Sequence, residues 1–290
     1  MPAPATVPAP TATQCASCGT ALHGAYCHAC GEKRLDHHDY ALPHFLEHAV
    51  DTLTHFDFKV LKGAWSLIAR PGLMTRDVLA GRRVTWPKPL QLFLIVNLVY
   101  AFVAHQLGMQ VLNTPLKYHY GFWYGDWAEA RMTALAAEQH LSPELLAARF
   151  DALANTLAKS LVFVFIPLLA AGLTGLLWAK RRYFLEHVVT ATHLTSQILL
   201  VQLLMIGPLA LGQILAQQLG SPLSYRQADL ASVALMLLGL TAAFAPLLIR
   251  TYALRRGPGL AAGLAVALLF FLLLMHVYRF VLFVVASWLL

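Results

Sequence analysis

Four cysteines, and no others, stand at Cys15, Cys18, Cys27 and Cys30. The pattern is Cys-x2-Cys-x8-Cys-x2-Cys, and each pair is followed by a glycine, Gly19 or Gly31. Two such turns present four soft thiolate donors, the set that suits a tetrahedral zinc shell. Four protein ligands leave no open position, so the expected role is structural, with one Zn2+ bound. A module this short has almost no core, and metal binding would supply much of its folding energy. A disulfide pairing is the competing reading. It fits poorly with the reducing compartment that the charge pattern below assigns to this segment. A thioredoxin-like exchange role needs a βαβ pattern that the sequence lacks.

Three further groups carry chemistry-bearing side chains. Glu186, His187 and His193 lie at the start of a long apolar run. Glu186, Thr190, His193 and Gln197 are spaced to share one helical face. Such a stripe on an apolar helix faces a bundle interior or a wet cavity, and could serve a metal, a proton or a headgroup. Pairing of Glu186 with Arg181 or Arg182 in a packing network is the plainer reading. His105 on one apolar run, and His276 and Arg279 on another, match in depth and could line a cavity. Snorkelling of Arg279 to the headgroups explains them equally simply. His44-Phe45-Leu46-Glu47-His48 spells His-x-x-Glu-His, in which two histidines one turn apart could hold zinc with Glu47 as base. No enclosing catalytic domain accompanies it. Asp51 and His55 continue the stripe, so a solvated polar face is the simpler account.

The elements that must position these groups follow from composition. The chain has 290 residues, 58% hydrophobic and only 12% charged. Soluble domains carry about 25% charged residues. These values exclude a soluble globule, a disordered chain and a disulfide-rich secreted fold. They indicate an all-α polytopic membrane protein. Five runs reach the roughly 20 apolar residues a span needs, near residues 90–111, 160–179, 188–219, 229–249 and 260–290. Residues 1–14 read as a disordered Pro/Ala/Thr tail, 15–33 as the zinc ribbon and 40–88 as interfacial helices. Residues 89–290 then form the membrane domain, with an outside loop at 112–159. In that loop Ser142-Pro143-Glu144 predicts a helix start that can run straight into the second span.

Basic residues orient the bundle. With the N-terminus in the cytoplasm, fifteen Lys and Arg fall inside and five outside. The positive-inside rule therefore places the ribbon in the cytoplasm and the C-terminus outside. The net charge of +7 then reports topology and contact with anionic headgroups. No basic patch with base-reading residues points to nucleic acid.

The ordered set of motifs resembles the bacterial domain-of-unknown-function family 3667. It comprises the double Cys-x-x-Cys-Gly ribbon with Glu32-Lys33, Asp57-x-Lys59, Arg70-Pro71-Gly72, and Gly81-Arg82-Arg83 leading to Pro87. Tyr183-x-x-Glu186-His187 with His193 downstream, and Tyr252, complete it. The resemblance implies a bacterial inner-membrane protein with a cytoplasmic zinc ribbon, and supplies no activity. No phosphate-binding loop or Ser/His/Asp arrangement is visible. The expectation is a non-enzymatic interaction, assembly or regulatory component whose ribbon docks to its own membrane domain or to a cytoplasmic protein partner. The alternatives are a transporter or channel using the intramembrane polar residues, or a membrane-embedded metal-dependent enzyme.

Overall fold

The structure, a computed structural model, describes residues 14–34, 58–107, 112–218 and 224–290. Its described residues form helices and isolated bridges, without strands. Two short helices come first, α1 (Lys59–Ala69) and α2 (Leu73–Leu79). Gly72 turns the chain between them at φ 82°, a left-handed conformation that a Cβ would strain. A Cβ there would also sit 2.7 Å from the Leu247 carbonyl oxygen.

Helix α3 (Pro89–Gln106) opens with proline at its first position, where the missing N–H costs nothing. Two small helices follow, α4 (Leu116–His119) and α5 (Gly125–Glu138). Helix α6 (Pro143–Leu176) runs unbroken through one 3₁₀ turn at Val162–Val164. The Ser142 side chain accepts the Leu145 N–H and caps it, as the sequence leads one to expect. Then come α7 (Phe184–Gln218), α8 (Tyr225–Tyr252) and α9 (Arg256–Leu289), the last with a π-helical segment at Leu273–Tyr278. Five of these helices, α3 and α6 to α9, are long and apolar enough to cross a membrane. At 34 residues each, α6 and α9 are about 51 Å long, well beyond a core of about 30 Å.

Their surplus length extends the core beyond that thickness. His119, Tyr124, Phe150 and Phe283 are buried against one another there. In the same region Trp123 and Trp127 stay exposed while packing on Phe280 of α9. Tyr124 is interior.

Helix α7 is the axis of the bundle. It packs on α3, α6 and α8, and α1 and α2 close the side that these leave open. Every residue from Leu185 to Leu199 is consequently buried. Further along the helix Leu204, Leu211, Ile214 and Leu215 are exposed and apolar, as lipid contact requires.

The cysteine cluster and the polar stripe of the central helix

The ribbon consists of two near-identical knuckles. In the first, the Gly19 amide donates to the Cys15 carbonyl at 2.9 Å and the Cys15 amide to the Thr20 carbonyl at 2.8 Å. In the second, Gly31 donates to Cys27 at 2.8 Å and Cys27 to Glu32 at 2.9 Å. Gly19 and Gly31 both sit at φ 75°, the backbone state that glycine permits without strain. The four Sγ atoms lie within 4.8 Å of one another, with Cys15 to Cys30 at 3.5 Å and Cys18 to Cys27 at 3.6 Å. All four are free thiols. Such a cluster can hold a metal ion, and among the described residues it is the group of His, Cys, Asp and Glu side chains that can. Hydrogen bonding to the hydroxyl and then the backbone of Thr20 holds the Cys18 thiol down at about 6. The Glu32 amide favours the Cys30 thiolate, yet desolvation and the three neighbouring sulfurs push that thiol up to about 12. Four thiols this close cannot all ionise unless a cation balances them.

Glu32 joins the ribbon to the helices. Its Oε2 accepts from Ser17 Oγ at 2.6 Å, and from the backbone amides of Arg83 at 2.8 Å and Val84 at 3.0 Å. The receiving loop is itself braced. Asp77 bonds Arg76 and Arg82 and accepts the Trp86 indole N–H at 3.3 Å. Partial burial raises the Asp77 pKa, but the two guanidinium groups outweigh it and hold the carboxyl below its ordinary range.

The stripe on α7 is divided among partners. Glu186 accepts the Tyr183 N–H at 2.9 Å and pairs with Arg182 at 2.6 Å, so it caps the helix start. His187 Nδ1 meets the Tyr252 hydroxyl at 2.8 Å, and that hydroxyl lies 3.4 Å from Thr190 Oγ1. His193 Nδ1 lies 3.0 Å from Thr75 Oγ1, and its Nε2 is buried without a partner. Gln197 Nε2 donates to the Leu67 carbonyl at 2.7 Å. Thr190, Thr192, Thr195 and Ser196 donate back to their own helix. Glu186, His187 and His193 thus face different elements and do not converge on a common point.

Residues 57–101 match the family model described as "Protein of unknown function (DUF3667)". The family resemblance is borne out over that segment, which comprises α1, α2, the loop that receives Glu32, and most of α3. It supplies the partners of His193 and Gln197 on the polar stripe, Thr75 and the Leu67 carbonyl. No curated protein and no solved structure matches the chain.

The other candidates are placed as follows. His105 and His276 are exposed on their helices. The Arg279 guanidinium lies over the Phe122 ring at 4.9 Å. Beside these candidates, Asn97 on α3 donates to the Lys159 carbonyl at 3.0 Å. His44, Glu47 and His48 lie outside the described residues. Sequence reasoning did not single out Thr75, Ser17 or Leu67 as partners. Glu32 and Tyr252 entered it through the family pattern alone. A carboxylate directly after a Cys-x-x-Cys-Gly turn was the available signal for Glu32.

Proposed function

We propose that this chain is a non-enzymatic assembly or regulatory component of a bacterial inner membrane, in which a cytoplasmic zinc ribbon is docked on a five-span bundle. The observation that carries the reading is the Glu32 clasp on the Arg83 and Val84 amides. Through it the ribbon is tied to the loop leading into α3, within the segment that the family model matches.

Zinc is the metal of choice for this donor set. A tetrahedral shell with Zn–S of about 2.3 Å has S–S edges of about 3.8 Å, close to the 3.5 and 3.6 Å separations here. Cys15, Cys18, Cys27 and Cys30 would hold it and leave no position for substrate, which favours a folding role over catalysis. The exposed arginines Arg70, Arg76, Arg181 and Arg255 suit anionic headgroups on the ribbon's side of the bilayer.

The test combines metal content with partner recovery. Detergent-purified protein should carry one zinc per chain by elemental mass spectrometry. The double change Cys15→Ser, Cys18→Ser should remove it. Affinity purification from native membranes should return a defined protein with the wild type and lose it with that variant. Retained zinc would overturn the site. An unchanged set of co-purifying proteins would overturn the docking role.

A transport role is the second reading, supported by the run of buried polar residues on α7. Against it, four of the hydroxyls are spent on their own helix, and α7 is enclosed from Leu185 to Leu199. Substrate flux into liposomes containing the pure protein would put this reading first.

A further inference from the structure

A cleft of about 180 Å³ lies between α1, α7 and α8. Among the residues lining it are Ile68, Pro71, Val201, Leu204, Ala242 and Ala243. Ile68 and Leu204 are 39% and 49% exposed, and Ala242 is exposed as well. The faces that carry Leu204 and Ala242 continue along α7 and α8 through the exposed Leu211 and Leu238. The cleft is therefore open to the hydrocarbon that these spans meet. An engineered apolar cavity of about 150 Å³ holds benzene, so this one takes a short stretch of acyl chain.

An arginine stands at the Pro71 end of the cleft. Arg250 Nη1 donates to the Pro71 carbonyl at 2.6 Å. The next residue packs on its stem, since a Cβ on Gly72 would lie 3.0 Å from Arg250 Cβ. Arg250 is nonetheless exposed. One bond to a neutral carbonyl leaves Nε and Nη2 of the guanidinium fork for another acceptor. Arg70, the neighbour of Pro71 in sequence, is exposed too. Among the described residues no carboxylate pairs with either guanidinium. Ala243 and Arg250 lie two turns apart on one face of α8, about 10 Å along its axis. The headgroup layer is about 5–8 Å thick on each side of a bilayer. A lipid chain seated in the cleft thus brings its phosphate to the level of Arg250.

We propose that this cleft binds an anionic phospholipid from the leaflet on the ribbon's side, with an acyl chain against Leu204, Ala242 and Ala243 and its phosphate on the Arg250 guanidinium, joined by Arg70. A guanidinium fork matches two phosphate oxygens in a bidentate pair. A net negative headgroup is favoured because two cations stand there without a carboxylate partner, whereas a zwitterionic one brings its own ammonium. Free phosphate would meet the arginines but leave the cleft unused. The site rests on the headgroup contact proposed above, which it narrows from a general attraction to one place. It is independent of the ribbon's docking role.

The test uses the full chain in a neutral detergent. Dioleoyl phosphatidylglycerol, dioleoyl phosphatidylcholine and inorganic phosphate are titrated separately while the thermal midpoint is read. Phosphatidylglycerol should raise the midpoint saturably. Its apparent affinity should be about tenfold tighter than that of phosphatidylcholine, the worth of one hydrogen bond to a charged group. Inorganic phosphate at the same concentration should leave the midpoint unmoved. Arg250→Gln should remove the preference for phosphatidylglycerol. Arg250→Lys, which keeps the charge without the fork, should restore part of it. The double change Arg181→Gln, Arg255→Gln removes two exposed cations elsewhere and should preserve the preference. Ala243→Leu, which fills the cleft from α8, should weaken both lipids. Equal affinity for the two lipids would overturn the proposal. So would a shift with inorganic phosphate alone, or full lipid binding in Ala243→Leu. An equal loss of preference in the Arg181, Arg255 variant would also overturn it, while leaving the general headgroup contact standing.

Discussion

Glu32 Oε2 accepts the backbone N–H of Arg83 at 2.8 Å across 51 residues of sequence. A carboxylate buried on two backbone amides, with a serine hydroxyl as third donor, is a charge-assisted clasp. It makes the position of the ribbon depend on the loop before α3.

Removing that clasp should release the ribbon without unfolding it. Glu32→Ala should cost about 2 kcal/mol of docking, the usual worth of hydrogen bonds to a charged group. Hydrogen exchange should quicken at the Arg83 and Val84 amides while zinc content stays constant. Unchanged exchange there would show that the clasp is dispensable.

His119 should make the far end of the bundle sensitive to acid. Burial pulls its pKa down to about 4, from an ordinary value of about 6.5. The unfolded state therefore takes up a proton at a higher pH than the folded state. Stability should be full above pH 6.5 and fall as the pH drops toward 4, by at most about 3 kcal/mol. Thermal midpoints of the wild type across this window should fall with pH, and those of His119→Gln should fall less. Parallel profiles would assign the acid response elsewhere.

Gly172 and Gly175 form a small-residue pair on α6 that looks symmetrical in sequence but differs in packing. A Cβ on Gly172 would lie 2.2 Å from Leu269 Cδ2, whereas nothing lies within 4 Å of one on Gly175. Gly172→Ala should lower stability by about 1–3 kcal/mol through overpacking. Gly175→Ala should be neutral, or stabilise by up to about 1 kcal/mol through helix propensity. Equal effects on the thermal midpoint would contradict the α6–α9 contact.

Tyr252 and Thr75 each satisfy one buried histidine of α7. Tyr252→Phe leaves His187 Nδ1 without its 2.8 Å partner, and Thr75→Val does the same to His193 Nδ1. Each change should cost about 1–3 kcal/mol, the penalty of an unpaired buried polar group. Because Thr75 and Tyr252 bond different histidines and share no partner, the double variant should show near-additive losses in chemical denaturation.

The helices and the metal ligands were legible in the sequence because both are local. Long apolar runs cannot be solvated, and Leu90, Leu260 and their neighbours announce spans whatever they pack against. The Ser142-Pro143-Glu144 start was readable for the same reason, since a cap needs only the residues beside it. Cys15, Cys18, Cys27 and Cys30 declare a metal site by spacing, because each knuckle closes within five residues through its own backbone.

Sequence by itself thus determined the class of protein, the number of apolar helices and the four-thiol cluster. Tertiary structure alone decided how the stripe on α7 is divided. Helical spacing put Glu186, His193 and Gln197 on one face but could not say what faces them. The Glu186–Arg182 pair is local and was open to the sequence, whereas packing gave His187 to Tyr252, His193 to Thr75 and Gln197 to the Leu67 carbonyl. Except for Arg182, these partners come from α1, α2 and α8, up to 130 residues away along the chain. Periodicity fixes the direction of a side chain on its own helix, whereas its partner depends on how separate helices meet. That is why the Glu32 clasp and the Gln197–Leu67 hydrogen bond emerge only once the chain is folded.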